Sequence, residues 1–312
     1  MPHKITIVGA GNVGETTAQW LAMREIGDIV LVDVPQTEGM PAGKALDLIQ
    51  AGAVIGYTTR ITGTTSYDDT ADSDIVVITA GVARKPGMSR EDLVSINQQI
   101  ITDVVTKVVA TSPNAILIVV TNPLDTMCYA VWKASGLPPE RVVGQAGILD
   151  TARMRTFITY EMCCAIENVS CLVLGGHGDE MVPLIRYTTV AGVPITDLLP
   201  LDRIQTIIER TRKGGGEIVQ LLKTGSAYYA PGAATAQMVE AIVKDRCFIA
   251  PCSAYLSGEY GLHDMFFGVP VVLGRKGVNR IIEVTLDDQE RAMLQKSAEL
   301  IRGSMSALKM DG

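Results

Sequence analysis

The sequence predicts an α/β protein: a doubly wound, parallel sheet followed by an α+β domain. Three observations predict it. Apolar residues make up 47% of the 312-residue chain but aromatic ones only 5%, so the core must be built from Val, Ile, Leu, Ala and Met. That is the composition of a parallel sheet covered by helices on both faces. Short β-branched runs alternate with helical periodicity in the first part of the chain, the pattern of repeated βα units with right-handed crossovers. After about Val143 the pattern changes to longer helices with interspersed strands, which places a boundary between residues 1–143 and 144–312.

The elements follow in order. "KITIVGA" at 4–10 is a strand, a helix runs to about Glu25, and "DIVLVDV" at 28–34 is a second strand, which together make a βαβ unit. A helix passes through "GKALDLIQA", and strands lie near "RITGT", "DIVVITAG" and "AILIVVTNP", with a long helix after Arg90 between the last two. In the second half, strand-like segments are "VSCLVLGGHG", "FIAPCSAYLSGEYG" and "DMFFGVPVVLG". The three consecutive glycines of "RTRKGGGEIVQLLKTG" predict a bend in a long helix. The last 25 residues read as one amphipathic closing helix.

Charge and cysteine usage narrow the function. Lys plus Arg number 27 and Asp plus Glu 34, a net charge of −7, which argues against a general nucleic-acid or anionic-membrane surface. The cluster Arg84, Lys85 and Arg90 in "ARKPGMSRED" therefore reads as a local site for an anion. Six cysteines without C-x-x-C spacing read as reduced, structural thiols, and no metal site is expected. No apolar run approaches the roughly 18 residues of a membrane span, and the chain enters its first strand at once, so a cytoplasmic location is expected.

Gly9-Ala10-Gly11-Asn12-Val13-Gly14 fits G-x-G-x-x-G between a strand and a helix, and Asp33 ends the next strand 19 residues after Gly14. This is the dinucleotide fingerprint of a Rossmann-type unit. Gly9 allows the tight turn, Gly11 lets the backbone approach a pyrophosphate, and Gly14 permits close helix-to-strand packing. Asp33 can accept hydrogen bonds from ribose hydroxyls and would repel a 2′-phosphate, with Val34 and Pro35 rather than Arg following, so NAD is favoured over NADP.

Only His3, His177 and His263 are present. His3 precedes the first strand, and His263 sits in a turn between strands. His177 follows an apolar strand and is flanked by glycines, which clear space around an imidazole. A general acid-base histidine needs a carboxylate to fix its tautomer. Asp179 is poorly placed at i+2. Asp150 is the better candidate, although it also lies three residues from Arg153 on one face of a helix and could serve only as an intrahelical ion pair.

GAGNVG with Asp33, "GVARKPGMSREDL", "TNPLD", "GQAGILDTARMR" and "GGHGDEMVP", in that order, resemble the lactate/malate dehydrogenase superfamily over essentially the whole chain. Within it the similarity is greatest to the malate dehydrogenases nearest the lactate dehydrogenases. The resemblance implies reversible hydride transfer between L-malate and NAD, giving oxaloacetate and NADH. It implies His177 as proton donor and acceptor, Asp150 as its carboxylate partner, Arg153 gripping the C1 carboxylate, and Arg90 polarising the substrate carbonyl. Asn122 would orient substrate beside the nicotinamide, while Asn97, Val120, Thr121 and Asn122 match cofactor-contacting positions. A cis bond is expected at Asn122–Pro123. Arg84 matches the loop position that discriminates among 2-oxo acids; arginine there pairs with a second carboxylate, so the expected substrate is a dicarboxylate. The alternatives are a lactate or broader 2-oxo acid dehydrogenase, and a non-catalytic NAD-binding module. The family also implies a homo-oligomer, with a tetramer expected first and a dimer second.

Overall fold

The computed structural model describes residues 2–83 and 88–309, and of Arg90 the backbone alone. In chain order the first half contains β1 (Lys4–Val8), α1 (Asn12–Met23), β2 (Asp28–Val32), α2 (Met40–Ile55), β3 (Ile61–Thr64), β4 (Ile75–Ile78), α3 (Arg90–Thr111), β5 (Ile116–Val119), α4 (Leu124–Ser135) and β6 (Val142–Gly144). After α5 (Gly147–Met162) come the short strands β7 (Val169–Ser170), β8 (Val173–Leu174), β9 (Val182–Pro183), β10 (Thr189–Val190) and β11 (Val193–Pro194), then α6 (Ile195–Leu198). The chain closes with α7 (Leu201–Leu222), α8 (Tyr229–Val243), β12 (Phe248–Ser257), β13 (His263–Gly274), β14 (Gly277–Ile281) and α9 (Asp288–Met305).

One nine-stranded sheet organises the molecule, in the order β14-β13-β12-β6-β5-β4-β1-β2-β3. From β3 to β6 every neighbouring pair is parallel. The strand order reverses between β1 and β4, so the connections after them leave on opposite sides and open a crevice beyond the carboxyl ends of the two strands. Residues of β1, β4 and β5 are buried almost throughout because helices cover both faces, and each fully buried Val or Ile there stabilises the fold by roughly 1.5–3 kcal/mol. The predicted α/β class is the observed one.

The second half is tied to the first through the sheet itself. Its long hairpin, β12 with β13, does not start a separate sheet; it continues the first one, antiparallel, through a single Ser253↔Gly144 pairing of β12 with β6. Gly144 makes this possible, since a Cβ there would lie 2.7 Å from the Ser253 Cβ and 2.5 Å from the Cys128 sulfur. His263 is the first residue of β13 rather than part of a turn. The three glycines 214–216 lie inside α7, which is helical from Leu201 to Leu222. The closing helix is α9, opened by a capping box in which the Asp287 carboxylate accepts the Glu290 N–H at 2.8 Å. Among the described residues no helix is long and apolar enough to cross a membrane.

Candidate active site

The glycine turn after β1 is held from several sides. Gly9 adopts φ +101°, a left-handed value that favours glycine, and a Cβ on Gly14 would fall 1.9 Å from the Gly9 carbonyl oxygen. No other residue fits at Gly14. The N-terminus of α1 thus lies close against β1, with Gly11 exposed and nothing within 4 Å of where its Cβ would be. Asp33 closes the turn from the end of β2: its Oδ2 accepts the Ala10 N–H at 2.7 Å and its Oδ1 the Val34 N–H at 2.7 Å. Lys44 of α2, which the sequence pattern did not single out, donates to the Ala10 carbonyl at 2.7 Å and pairs with Glu15.

A cavity of about 520 Å³ lies over this turn, lined by Gly9, Gly11, Asn12, Val13 and Asp33 and on its far side by Ser226. The residues present fit a dinucleotide. The open face at Gly11 and the free N–H groups of a helix start suit a pyrophosphate, and the anchored Asp33 carboxylate keeps lone pairs for ribose hydroxyls. Its negative charge disfavours a 2′-phosphate. Val13 and Ser226 also line a second cavity of about 360 Å³, so the two spaces adjoin.

Besides Val13, four more sequence-predicted residues, Val120, Asn122, Arg153 and His177, line that second cavity. Asp150 lies just behind it on α5, 1% exposed, and divides its carboxylate between two partners. The His177 Nδ1–H donates to Oδ2 at 2.8 Å, and Arg153 Nη1 donates to Oδ1 at 3.0 Å. The two readings of Asp150 left open by its spacing are therefore both realised. Occupying Nδ1 leaves Nε2 as the ring nitrogen that can exchange a proton with a ligand. Burial pulls the His177 pKa down, but the charge of Asp150 and its hydrogen bond outweigh that, with Arg153 opposing and Asp125 assisting. The result lies above the ordinary histidine value.

Asn97 and Thr121 have buried side chains engaged with backbone rather than open to the cavities. Asn97 is 0% exposed, accepts the Val82 N–H at 2.8 Å and donates to the Val82 and Asn122 carbonyls at 3.1 and 2.7 Å. Thr121 donates to the Ala80 carbonyl at 2.7 Å. Their amide and hydroxyl hold the Gly81 segment and Asn122 in place, and the Asn122–Pro123 bond is cis, as expected. Arg84 lies outside the described residues, as does the Arg90 side chain. Where the chain resumes, Ser89 and Asp92 form a capping box, the Ser89 hydroxyl accepting the Asp92 N–H at 3.0 Å, which sets the start of α3 at Arg90.

Two features of the cavity were missed. Gly214 and Gly215 of α7 pack on the Arg153 side chain; a Cβ on Gly214 would sit 3.1 Å from Arg153 Cδ, and one on Gly215 3.4 Å from Nη2. Arg212, one half-turn before them, also lines the cavity and donates to the Met181 carbonyl at 3.4 Å. The triple glycine was the visible signal, but only its partner in space gives it a meaning. Among the described residues no group of three or more His, Cys, Asp and Glu is gathered for a metal.

A switch-point crevice that opens into a cavity holding a carboxylate-backed imidazole and a partly buried arginine defines a dinucleotide-dependent dehydrogenase. Comparison with known proteins narrows the class. Residues 3–144 match the NAD binding domain of lactate/malate dehydrogenase, and residues 148–309 match its alpha/beta C-terminal domain. The chain belongs to the lactate/malate dehydrogenase family. It is 57% identical to the malate dehydrogenase of Roseiflexus sp. (strain RS-1) over 99% of both chains. Among solved structures, the malate dehydrogenase from Salinibacter ruber superposes with a TM-score of 0.93 at 49% identity, covering 97% of each chain. The lactate dehydrogenase from Cryptosporidium parvum, complexed with lactic acid and β-nicotinamide adenine dinucleotide, superposes at 0.95 with 38% identity, covering 100% of this chain and 99% of that one.

Proposed function

We propose that the protein is an NAD-dependent malate dehydrogenase that interconverts L-malate and oxaloacetate, with His177 as the proton donor and acceptor. The observation that carries the reading is the Asp150 carboxylate shared between His177 and Arg153, beside the cavity that suits a dinucleotide. NAD supplies the hydride acceptor when bound, and NADH the donor. The rest is the work of this chain. Gly9 to Gly14 cradle the pyrophosphate through backbone N–H groups, and Asp33 holds the adenosine ribose. Val120 and Asn122 flank the reacting end, Asn97 and Thr121 keep that segment in position, and Arg153 grips one carboxylate of the substrate. Nε2 of His177 takes the hydroxyl proton as malate is oxidised and returns it to the carbonyl oxygen of oxaloacetate. Asp150 stabilises the imidazolium in between. Arg90 polarises the carbonyl, and Arg84 pairs with the second carboxylate.

Residues 1–143 form the nucleotide half and 144–312 the catalytic half in this reading. The protein acts as a homo-oligomer, a tetramer before a dimer. Six free cysteines, three of them buried, suit the reducing cytoplasm.

The test is kcat/KM for oxaloacetate and pyruvate, with NADH and NADPH, on wild type and Arg84→Gln. Oxaloacetate with NADH should lead by about a thousandfold or more, because an arginine enclosed against the methyl group of pyruvate has no partner. The substitution should erode that lead. Comparable turnover of pyruvate by the wild type would remove Arg84 as the selector and leave a broader 2-hydroxy acid dehydrogenase.

A further inference from the structure

The motif "TNPLD" ends in an aspartate to which the reaction above gives no task. Asp125 is the second residue of α4, 5% exposed, and its carboxylate is bonded to the backbone of His177. Oδ2 accepts the backbone N–H of His177 at 3.0 Å, and Oδ1 accepts the Ser253 hydroxyl of β12 at 2.7 Å. Three elements meet at this one side chain: the start of α4, three residues beyond Asn122; the loop that carries His177; and the strand by which the second half joins the sheet.

We propose that Asp125 is a positioning residue of the reaction, a second carboxylate that fixes the backbone of His177 and adds a negative charge on the protein side of its imidazole. The inference rests on the reading of His177 as the proton-transferring group. Geometry alone would be satisfied by a neutral acceptor, since an asparagine could take the same N–H and face the same hydroxyl. A carboxylate in place of an amide is what calls for a reason, because holding it ionised while buried without a cation costs several kcal/mol. Among the described residues Asp125 has no ion pair. Its partners are neutral donors and the N-terminal turn of α4, whose partial positive charge suits an anion.

Burial raises the Asp125 pKa, and the Ser253 hydroxyl and the His177 N–H pull it back. The imidazole it faces must be protonated to reduce oxaloacetate. The charged groups around that ring are Asp150 and Arg153 from α5, Asp125 from α4, Arg212 from α7 and Asp179 from its own loop. Arg153 opposes protonation and the two buried aspartates favour it. The loop itself is pinned independently: Gly176 N–H donates to Ser297 Oγ of α9 at 2.9 Å, and Gly175 N–H to the Gly268 carbonyl at 2.9 Å. Removing the Asp125 charge therefore leaves the loop other anchors.

The experiment is a titration of His177 by imidazole NMR, in a chain with only three histidines, on wild type and Asp125→Asn. The amide is nearly isosteric, so NADH affinity should stay within about twofold while the His177 midpoint falls by about half a pH unit or more. The alkaline limb of kcat/KM for oxaloacetate should move down by the same amount. An unchanged His177 midpoint in the folded variant overturns the proposal even if turnover drops, because a purely structural role would lower activity without moving the titration. Should Asp125→Asn fail to fold, carbon-13 NMR of aspartate-labelled wild type decides: an aspartate Cγ still in the protonated range at neutral pH overturns the proposal, and its absence upholds the charge. Full turnover in His177→Asn would instead sink the proton-transfer reading on which the inference rests.

Discussion

In the proposed reaction His177 carries more of the chemistry than any other side chain, and its environment then fixes how pH should act on the enzyme. Its pKa lies above the ordinary value of about 6.5 because the Asp150 carboxylate outweighs burial. Reduction of oxaloacetate needs the imidazolium and oxidation of malate the neutral ring. The two kcat/KM profiles should therefore cross through one midpoint above about 6.5, reduction falling and oxidation rising as pH increases. Removing the partner in Asp150→Asn should move that midpoint down. His177→Asn should reduce turnover by about a thousandfold or more while NADH binding, followed by fluorescence titration, is retained. The same shift has a stability consequence of definite sign. A folded-state histidine pKa raised above its unfolded value contributes stability that is fully present below the unfolded pKa and is lost as pH rises through the folded one. Thermal midpoints should decline over that window in wild type, and less so in His177→Asn.

At the scale of elements, α7 shows how a local rule can be overridden by a contact. Three consecutive glycines weaken a helix by up to about 1 kcal/mol each relative to alanine, which is why they suggest a bend. The helix continues because its Ile204, Ile207, Thr211 and Gly214 face is buried, and because Gly214 and Gly215 make room for the Arg153 side chain. Gly214→Ala should raise KM for oxaloacetate by about tenfold, the equivalent of about 1.4 kcal/mol, with NADH affinity unchanged and no loss of thermal stability. Gly216→Ala, whose Cβ would meet nothing within 4 Å, gains the same helix propensity and should raise Tm without that effect on KM. The contrast marks what was legible in the sequence. Strands β1, β2, β4 and β5 announce themselves through β-branched runs, and the glycine fingerprint through spacing, because both are local. The three-residue β6 is too short for any period, and β12 joins it only through Ser253 and Gly144. Asp125 stands in a motif that is easy to see, but its bond to the His177 N–H spans 52 residues and no pattern in the chain announces it. Asn97, which matches a cofactor-contacting position, is buried and bound to the backbone that shapes the site, a partnership its place in the sequence does not announce.

Across the whole molecule, one continuous sheet explains how a chain of two functional halves holds a single site. The parallel part supplies the crevice at its strand reversal, and the antiparallel extension brings β12 to the base of α4, where Asp125 and Ser253 meet under the catalytic loop. The outer surface is less self-sufficient. On α2 the outward-facing Leu46, Ile49 and Val54 are 56, 44 and 88% exposed, and Leu221 near the end of α7 is 74% exposed. Scattered apolar residues are ordinary on a monomer, but Leu46 and Ile49 lie one helical turn apart, on a helix that also presents Val54 and Ile55 to solvent. A second copy of the chain, in a symmetric assembly, would remove such a surface from water at roughly 25 cal/mol per Å² of apolar area covered. Sedimentation velocity should accordingly find a species near four times the 33.4 kDa of one chain, or failing that near twice, and no monomer at micromolar concentration. Ile49→Glu places a charge on the face that such an assembly would cover and should shift the distribution toward smaller species, with Tm lowered in parallel because the protomer would lose the contribution of its neighbours. A wild-type chain that sediments as a monomer would end the oligomer reading and leave the apolar face of α2 to solvent.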